Sequence, residues 1–92
     1  MTTRTPVRVH VASILHEYTA GASELSARGN TLRDVLADLD RGHPGLLFRI
    51  VDEQGVLRPH IKVYLDKRFL RELDEPVPSG ATVHILQALS GG

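Results

Sequence analysis

GNTLRDVLADL, residues Gly29 to Leu39, places Leu32, Val35, Leu36 and Leu39 at i, i+3, i+4 and i+7, which is one face of an α-helix. Thr31 fits the N-cap, Asp34 three residues on gives a shortened capping box, and Gly42 closes the C-terminal end. A helix with one apolar stripe must bury it against another layer. What flanks this segment therefore decides the fold.

Upstream, Val7, Val9 and Val11 alternate with Arg8, His10 and Ala12, the period of a half-buried strand. Ser13 to Ala22 is a connection anchored by Ile14, Leu15 and Tyr18, and Ser23 to Arg28 forms a second short strand pairing back antiparallel. Downstream, Pro44 and Gly45 break the chain, and Leu46, Leu47, Ile50 and Val51 form one further short helical turn before Gln54-Gly55. Ile61, Val63 and Leu65 make a third strand, with Lys62, Tyr64 and Asp66 facing the other way. Asp66-Lys67-Arg68 turns into a brief fourth strand around Phe69-Leu70, and the proline-flanked turn at 76–80 leads into a last strand from Thr82 to Ala88. Val83, Ile85 and Leu86 make that last strand apolar on both faces in places, which suits a central position. The order strand, strand, helix, strand, strand, strand is that of an α+β, single β-grasp (ubiquitin-like) domain. A mixed sheet has one main helix packed across it, and its first and last strands form a parallel central pair. The domain spans residues 1–92, with 89–92 a flexible tail.

The chain has 92 residues, room for one modest core and little for a deep enclosed pocket, which disfavours a self-contained enzyme. Eleven basic and eleven acidic residues balance to zero, so the molecule as a whole offers no strong field to nucleic acid or to an anionic membrane. No cysteine is present, which excludes disulfides, thiolate nucleophiles and Cys-ligated metals. The N-terminus MTTRTPVRV lacks the apolar core of a secretory signal, and no stretch is long enough to span a bilayer. A cytoplasmic protein is expected.

Side-chain chemistry is sparse. His10, His16, His43, His60 and His84 show no i+3 or i+4 pairing that would bring two imidazoles onto one helix face, although His10 and His84 become neighbours if the first and last strands pair. Neither a metal nor a cofactor is assigned. Asp38 with Asp40, and Asp52 with Glu53, stand next to turns, where acidic residues are ordinary. No glycine pattern cradles a phosphate, and neither Ser13 nor Ser90 has a histidine at a defensible dyad spacing.

There remains the end, Ser90-Gly91-Gly92. With glycine at about 7% of average usage, two terminal glycines are a ~0.5% coincidence, which makes them worth explaining. Lacking Cβ, two glycines form a thin strip that another backbone can approach closely. From Leu89 to Gly92 such a strip reaches ~13 Å at most, enough to carry a carboxylate into a partner's active site while the body stays outside. A carboxylate is ionised and inert at neutral pH, so it must first be activated. If Val83 and Ile85 point at the helix, strand alternation sends Leu86 and Ala88 to the opposite face, beside the root of the tail. With Leu89, Ser90 and Phe69 (or Leu70) they make a candidate partner-binding patch.

GNTLRDVLADL resembles the G-x-T-L-x-x-V-x-x-x-L segment of the ubiquitin-like sulfur carriers. PSGATVHIL resembles their turn into the last strand, and QALSGG their terminal signature. That family includes the small subunit of molybdopterin synthase and the thiamine-pathway carrier. SILHEYTAGASELSARGNTL is most similar to the carrier of the actinobacterial cysteine pathway, and Gln87 departs from the proline these carriers often have there. The resemblance implies that Gly92 bears the reacting carboxylate, with Gly91 its slim neighbour. An ATP-dependent adenylating enzyme of the ubiquitin-activating type would convert it to an acyl-adenylate, and sulfur would displace AMP to leave a thiocarboxylate. The acceptor would be a pyridoxal-phosphate cysteine synthase or another sulfur-incorporating synthase. The alternatives are a ubiquitin-like modifier conjugated to lysine through Gly92, which shares the adenylate, and a plain ubiquitin-like binding module, which would not need the glycines.

Overall fold

In the computed structural model, which describes residues 6–87, the alternating valines form strand β1, Val7–Val11, with all three valines buried. β2, Glu24–Ala27, pairs antiparallel to it, Val7 opposite Ala27 and His10 opposite Glu24. Two helices follow, α1 over Leu32–Gly42 and α2 over Leu46–Ile50. Strands β3, Ile61–Leu65, β4, Arg68–Leu70, and β5, Thr82–Gln87, complete a five-stranded sheet ordered β2-β1-β5-β3-β4. Only β1 and β5 run parallel, side by side at the centre, as the strand order required.

The α1 stripe is what joins the layers. Leu32, Val35, Leu36 and Leu39 are at most 3% exposed and pack with Val9, Val63, Val83 and Ile85 in one core. Each large apolar side chain so buried contributes about 1.5–3 kcal/mol relative to leaving it in water. Thr31 caps the helix, its Oγ1 accepting from the Asp34 N–H at 3.2 Å. The next orphan donors are met from outside the helix: Leu32 N–H donates to Glu75 O at 3.0 Å and Arg33 N–H to Leu73 O at 2.8 Å. The loop between β4 and β5 therefore closes the start of α1, because the first-turn N–H groups have no partner within the helix.

Three expectations are corrected in detail. Gly42 is the last helical residue and not the left-handed closure; His43 is the C-cap, its N–H bonded to Leu39 O, and the positive φ comes at Gly45, 97°. The connection after β1 contains a 3-10 helix, Ser13–Tyr18, in which Leu15 is buried while Ile14 is 52% exposed. The three-residue period puts Leu15 and Tyr18 on one side and leaves Ile14 on the other. Leu70 is buried and belongs to the core, so it cannot stand in for Phe69 on the outer face.

Candidate docking face and tail root

Helices cover one face of the sheet and leave the other open. On β5, Val83 and Ile85 are fully buried while Leu86 is 44% exposed, so alternation sends His84 and Leu86 outward. Cross-strand register assembles a row over the whole sheet. Glu24 lies opposite His10, His10 opposite His84, His84 opposite Tyr64, and Tyr64 opposite Phe69. The His10 and His84 rings stack at 5.1 Å between centroids, and Tyr64 meets Phe69 at 5.3 Å. Leu86 stands opposite Lys62, one place nearer the end of β5.

Of the residues that sequence reasoning singled out, Leu86 and Phe69 both lie on this outer face, exposed and separated by the Lys62 and Tyr64 side of β3. Ala88, Leu89, Ser90, Gly91 and Gly92 lie outside the described residues. Tyr64 and Lys62, which fill the space between Leu86 and Phe69, were not singled out as site residues, although the alternation of β3 had already turned them outward.

The end of the sheet where β5 stops is also defined. Ala12 N–H donates to Ile85 O at 2.9 Å, so β1 hands over to the 3-10 segment there. β3 begins at the same end, Ile61 opposite Gln87. β4 finishes there too, because it runs antiparallel to β3.

Ionic features on the outer face are weak. Arg8 Nε is 3.5 Å and His10 Nε2 3.6 Å from the Glu24 carboxylate, an exposed arrangement worth little in water. Among the described residues no three His, Asp or Glu side chains are grouped to hold a metal. No helix among them is long and apolar enough to cross a membrane. A groove of about 420 Å³ lies on the other side, between α1 and α2, lined by Leu36, Leu47, Phe48 and Val51 with Asp40 and Asp52 among its polar residues. Both carboxylates are engaged in local structure: Asp40 Oδ1 accepts from the N–H groups of Gly45 and Leu47, each at 3.1 Å. Asp52 Oδ1 accepts from Gln54 and Val56 at 2.9 and 3.1 Å. They are turn and helix caps rather than an acid–base pair.

Among the described residues two carboxyls are shifted, and each ties chain segments together. The Arg28 N–H, at 2.9 Å, and then the Arg41 guanidinium, at 2.6 Å, hold Asp38 below the usual carboxylate range. The N–H groups of Arg71 and Glu72, with Arg68 beside them, lower Glu75 likewise.

The outer face thus offers exposed apolar and aromatic side chains as contact surface. Compared with known proteins, residues 9–92 match the ThiS family. The chain belongs to the ThiS family. This ThiS-family chain is 34% identical over 91 residues to the sulfur carrier protein CysO of Mycobacterium tuberculosis, covering 94% of the chain and 98% of CysO. Among solved structures it resembles the Amycolatopsis orientalis BexX/CysO complex, with a TM-score of 0.87, 32% identity, and 94% and 99% of the two chains covered. It also resembles small archaeal modifier protein 1 of Methanosarcina acetivorans, with a TM-score of 0.77, 27% identity, and 99% and 100% covered. The family and β-grasp fold expected from GNTLRDVLADL and its flanking strands are therefore those of the chain, and it is a homologue of a sulfur carrier protein.

Proposed function

We propose that this ThiS-family protein is a sulfur carrier that reacts through the carboxylate of Gly92, and that it serves partner enzymes as a protein co-substrate without catalysing a reaction itself. The observation that carries this is the near full-length homology to CysO, 98% of which is covered, with the family match reaching Gly91 and Gly92.

In the first step a carboxylate oxygen of Gly92 attacks the α-phosphorus of ATP on an adenylating enzyme of the ubiquitin-activating type, and pyrophosphate leaves. Sulfide then attacks the acyl carbon and displaces AMP, giving the thiocarboxylate; from a persulfide donor the same displacement gives an acyl disulfide, which a second thiol must cleave, leaving as a disulfide with the donor, to free the thiocarboxylate. That sulfur is delivered to an acceptor, such as a pyridoxal-phosphate cysteine synthase or another sulfur-incorporating synthase. The chain's own contribution is positional. Gly91 and Gly92 supply a strip narrow enough for a channel, while Leu86 and Phe69, with Ala88, Leu89 and Ser90, provide the surface that a partner covers. The absence of cysteine fits a carrier that bears sulfur on its terminus.

The likeness to a small archaeal modifier protein supports a second reading, in which the same adenylate passes Gly92 to a lysine amine. Intact mass after incubation with an adenylating enzyme, ATP and a sulfur donor separates the two. The carrier gains one oxygen-to-sulfur exchange at Gly92. AMP release with no such gain would refute the carrier and favour the modifier, and no AMP release at all would leave a binding module.

A further inference from the structure

We propose that Arg58, Lys62 and Arg71 form a cationic docking notch at the root of the tail, whose occupant is a carboxylate-bearing loop of the protein partner that takes up Gly92. A notch of about 370 Å³ opens at the end of the sheet where β3 begins and β4 finishes, lined by Leu57, Arg58, Ile61, Lys62, Phe69 and Arg71. Its place follows from register: Ile61 lies opposite Gln87 and Lys62 opposite Leu86, so it adjoins the end of β5 from which the chain runs on to Gly92.

Among the described residues none of the three cations is ion-paired; the five pairs present involve Arg8, His10, Arg33, Arg41 and Arg68. Glu75, which accepts from the Arg71 N–H, is also taken up by Arg68 Nη1 at 2.8 Å and by the Glu72 N–H. Arg58 donates from Nε to Phe48 O at 2.8 Å and lies over the Phe48 ring, which fixes its position and leaves its charge unneutralised. Lys62 Nζ and the Arg71 guanidinium lie 5.8 and 5.6 Å from the Phe69 ring centre, within cation–π range. Phe69 thus holds two cations over the apolar patch.

A chain of zero net charge is therefore uneven over its surface. Asp40 and Asp52, with Arg33 and Glu53, line the groove on the helix side, and Glu53 also shares a hollow with Arg58, while Arg58, Lys62 and Arg71 line the notch near the end of β5. A polarised surface of this kind steers encounter and sets orientation, raising association rates by about 10- to 1,000-fold at low salt. Carboxylates suit it better than a nucleic-acid backbone, because a neutral molecule with one small cationic notch cannot follow a run of phosphates. The inference rests on the outer face being the side presented to the partner that takes up Gly92, but it does not depend on whether sulfur is gained there.

Association of the full chain with a purified ubiquitin-activating-type adenylating enzyme of the same organism, measured by stopped flow at 50 and 500 mM salt, tests it. Lys62→Glu/Arg71→Glu should associate at least ten times more slowly at low salt, with the difference shrinking at high salt. Lys62→Gln/Arg71→Gln should fall between it and wild type, and Arg41→Glu, a charge reversal on α1, should match wild type. Thermal melts establish that each variant is folded, and the neutral pair serves if the reversed pair is not. Wild-type association of either folded pair at low salt would overturn the notch, whatever the mass of the terminus. Charge-dependent association with no sulfur gained at Gly92 would uphold the notch and refute the carrier. NMR titrations with inorganic phosphate and a uridine decamer complete the test. Saturable shifts at 58, 62 and 71, with enzyme association unchanged in the variants, would overturn the carboxylate assignment in favour of a phosphate or RNA site.

Discussion

Gly29→Ala tests the packing on which α1 depends. The φ of Gly29 is not in the left-handed region, which among the described glycines occurs at Gly21, Gly45, Gly55 and Gly80, so conformational freedom does not require a glycine there. Space does. A Cβ at Gly29 would sit 2.7 Å from the Val35 nitrogen, 2.7 Å from Asp34 Cβ and 2.9 Å from the Asp34 carbonyl carbon. Comfortable carbon contacts begin near 3.5 Å, so the loop or the helix must retreat by about 0.8 Å. Neither retreats freely, because Leu32 and Arg33 are bonded to the loop before β5 and Val35 is fully buried. Overpacking of this kind costs about 1–3 kcal/mol, and alanine returns about 0.4–1 kcal/mol by restricting the unfolded chain. Because two of the three close contacts are to backbone, the upper part of the overpacking range, about 2–3 kcal/mol, applies, and the net loss of about 1–2.6 kcal/mol corresponds to a fall in Tm of roughly 4–20 °C for a domain of this size. Calorimetric or circular-dichroism melts at neutral pH measure it. A variant that melts within about 1 °C of wild type would show that the helix–loop contact yields freely, and the steric account of the glycine that opens GNTLRDVLADL would be wrong.

Leu86→Asp, on the outer face, should weaken binding to both the adenylating and the acceptor enzyme by about one kcal/mol or more while the domain stays folded; calorimetric titration giving wild-type affinity for both would place docking elsewhere. Gly91→Val or Gly92→Ala should severely slow AMP formation with the melt almost unchanged, and a large loss of stability would show that the tail is packed structure. Asp38 and Glu75 both have lowered pKa values in the folded chain, so the stability they lend is present above their unfolded values, about 4, and is lost as the pH falls through the lower folded values. Acid melts of Asp38→Asn/Glu75→Gln should therefore start lower at pH 7 and decline less below about pH 4.5 than wild type; parallel declines would refute that linkage.

Periodicity is a local property, and what it governs was legible in the sequence. The 3.6-residue spacing of Leu32, Val35, Leu36 and Leu39, and the two-residue spacing in β1, β3 and β5, fixed which side chains are buried, because a helix or strand has one face to hide. The parallel pairing of β1 with β5, and hence the meeting of His10 with His84, followed from element order. Leu86 could be assigned to the outer face because alternation leaves no other side for it once Val83 and Ile85 are in the core, whereas the choice between Phe69 and Leu70 stayed open until the fold buried Leu70. Gly91-Gly92, and the family to which the whole chain belongs, were likewise readable without coordinates.

Tertiary structure alone decided what depends on residues far apart in sequence arriving together. Ile14 reads like an anchor beside Leu15, and only a 3-10 turn leaves it in solvent. Gly29 reads as a helix-flanking glycine, and only the fold brings its α-carbon against the backbone of Val35. Arg58, Lys62 and Arg71 are scattered through a chain whose charges sum to zero, so composition showed only that the molecule as a whole has no strong field. Their neighbourhood exists because β4 folds back on β3, and it stays positive because Glu75 is drawn off to Arg68 and two backbone N–H groups. Net charge is a sum over residues, while a field at a surface depends on which charges the fold has already paired, and only the folded arrangement sets that pairing.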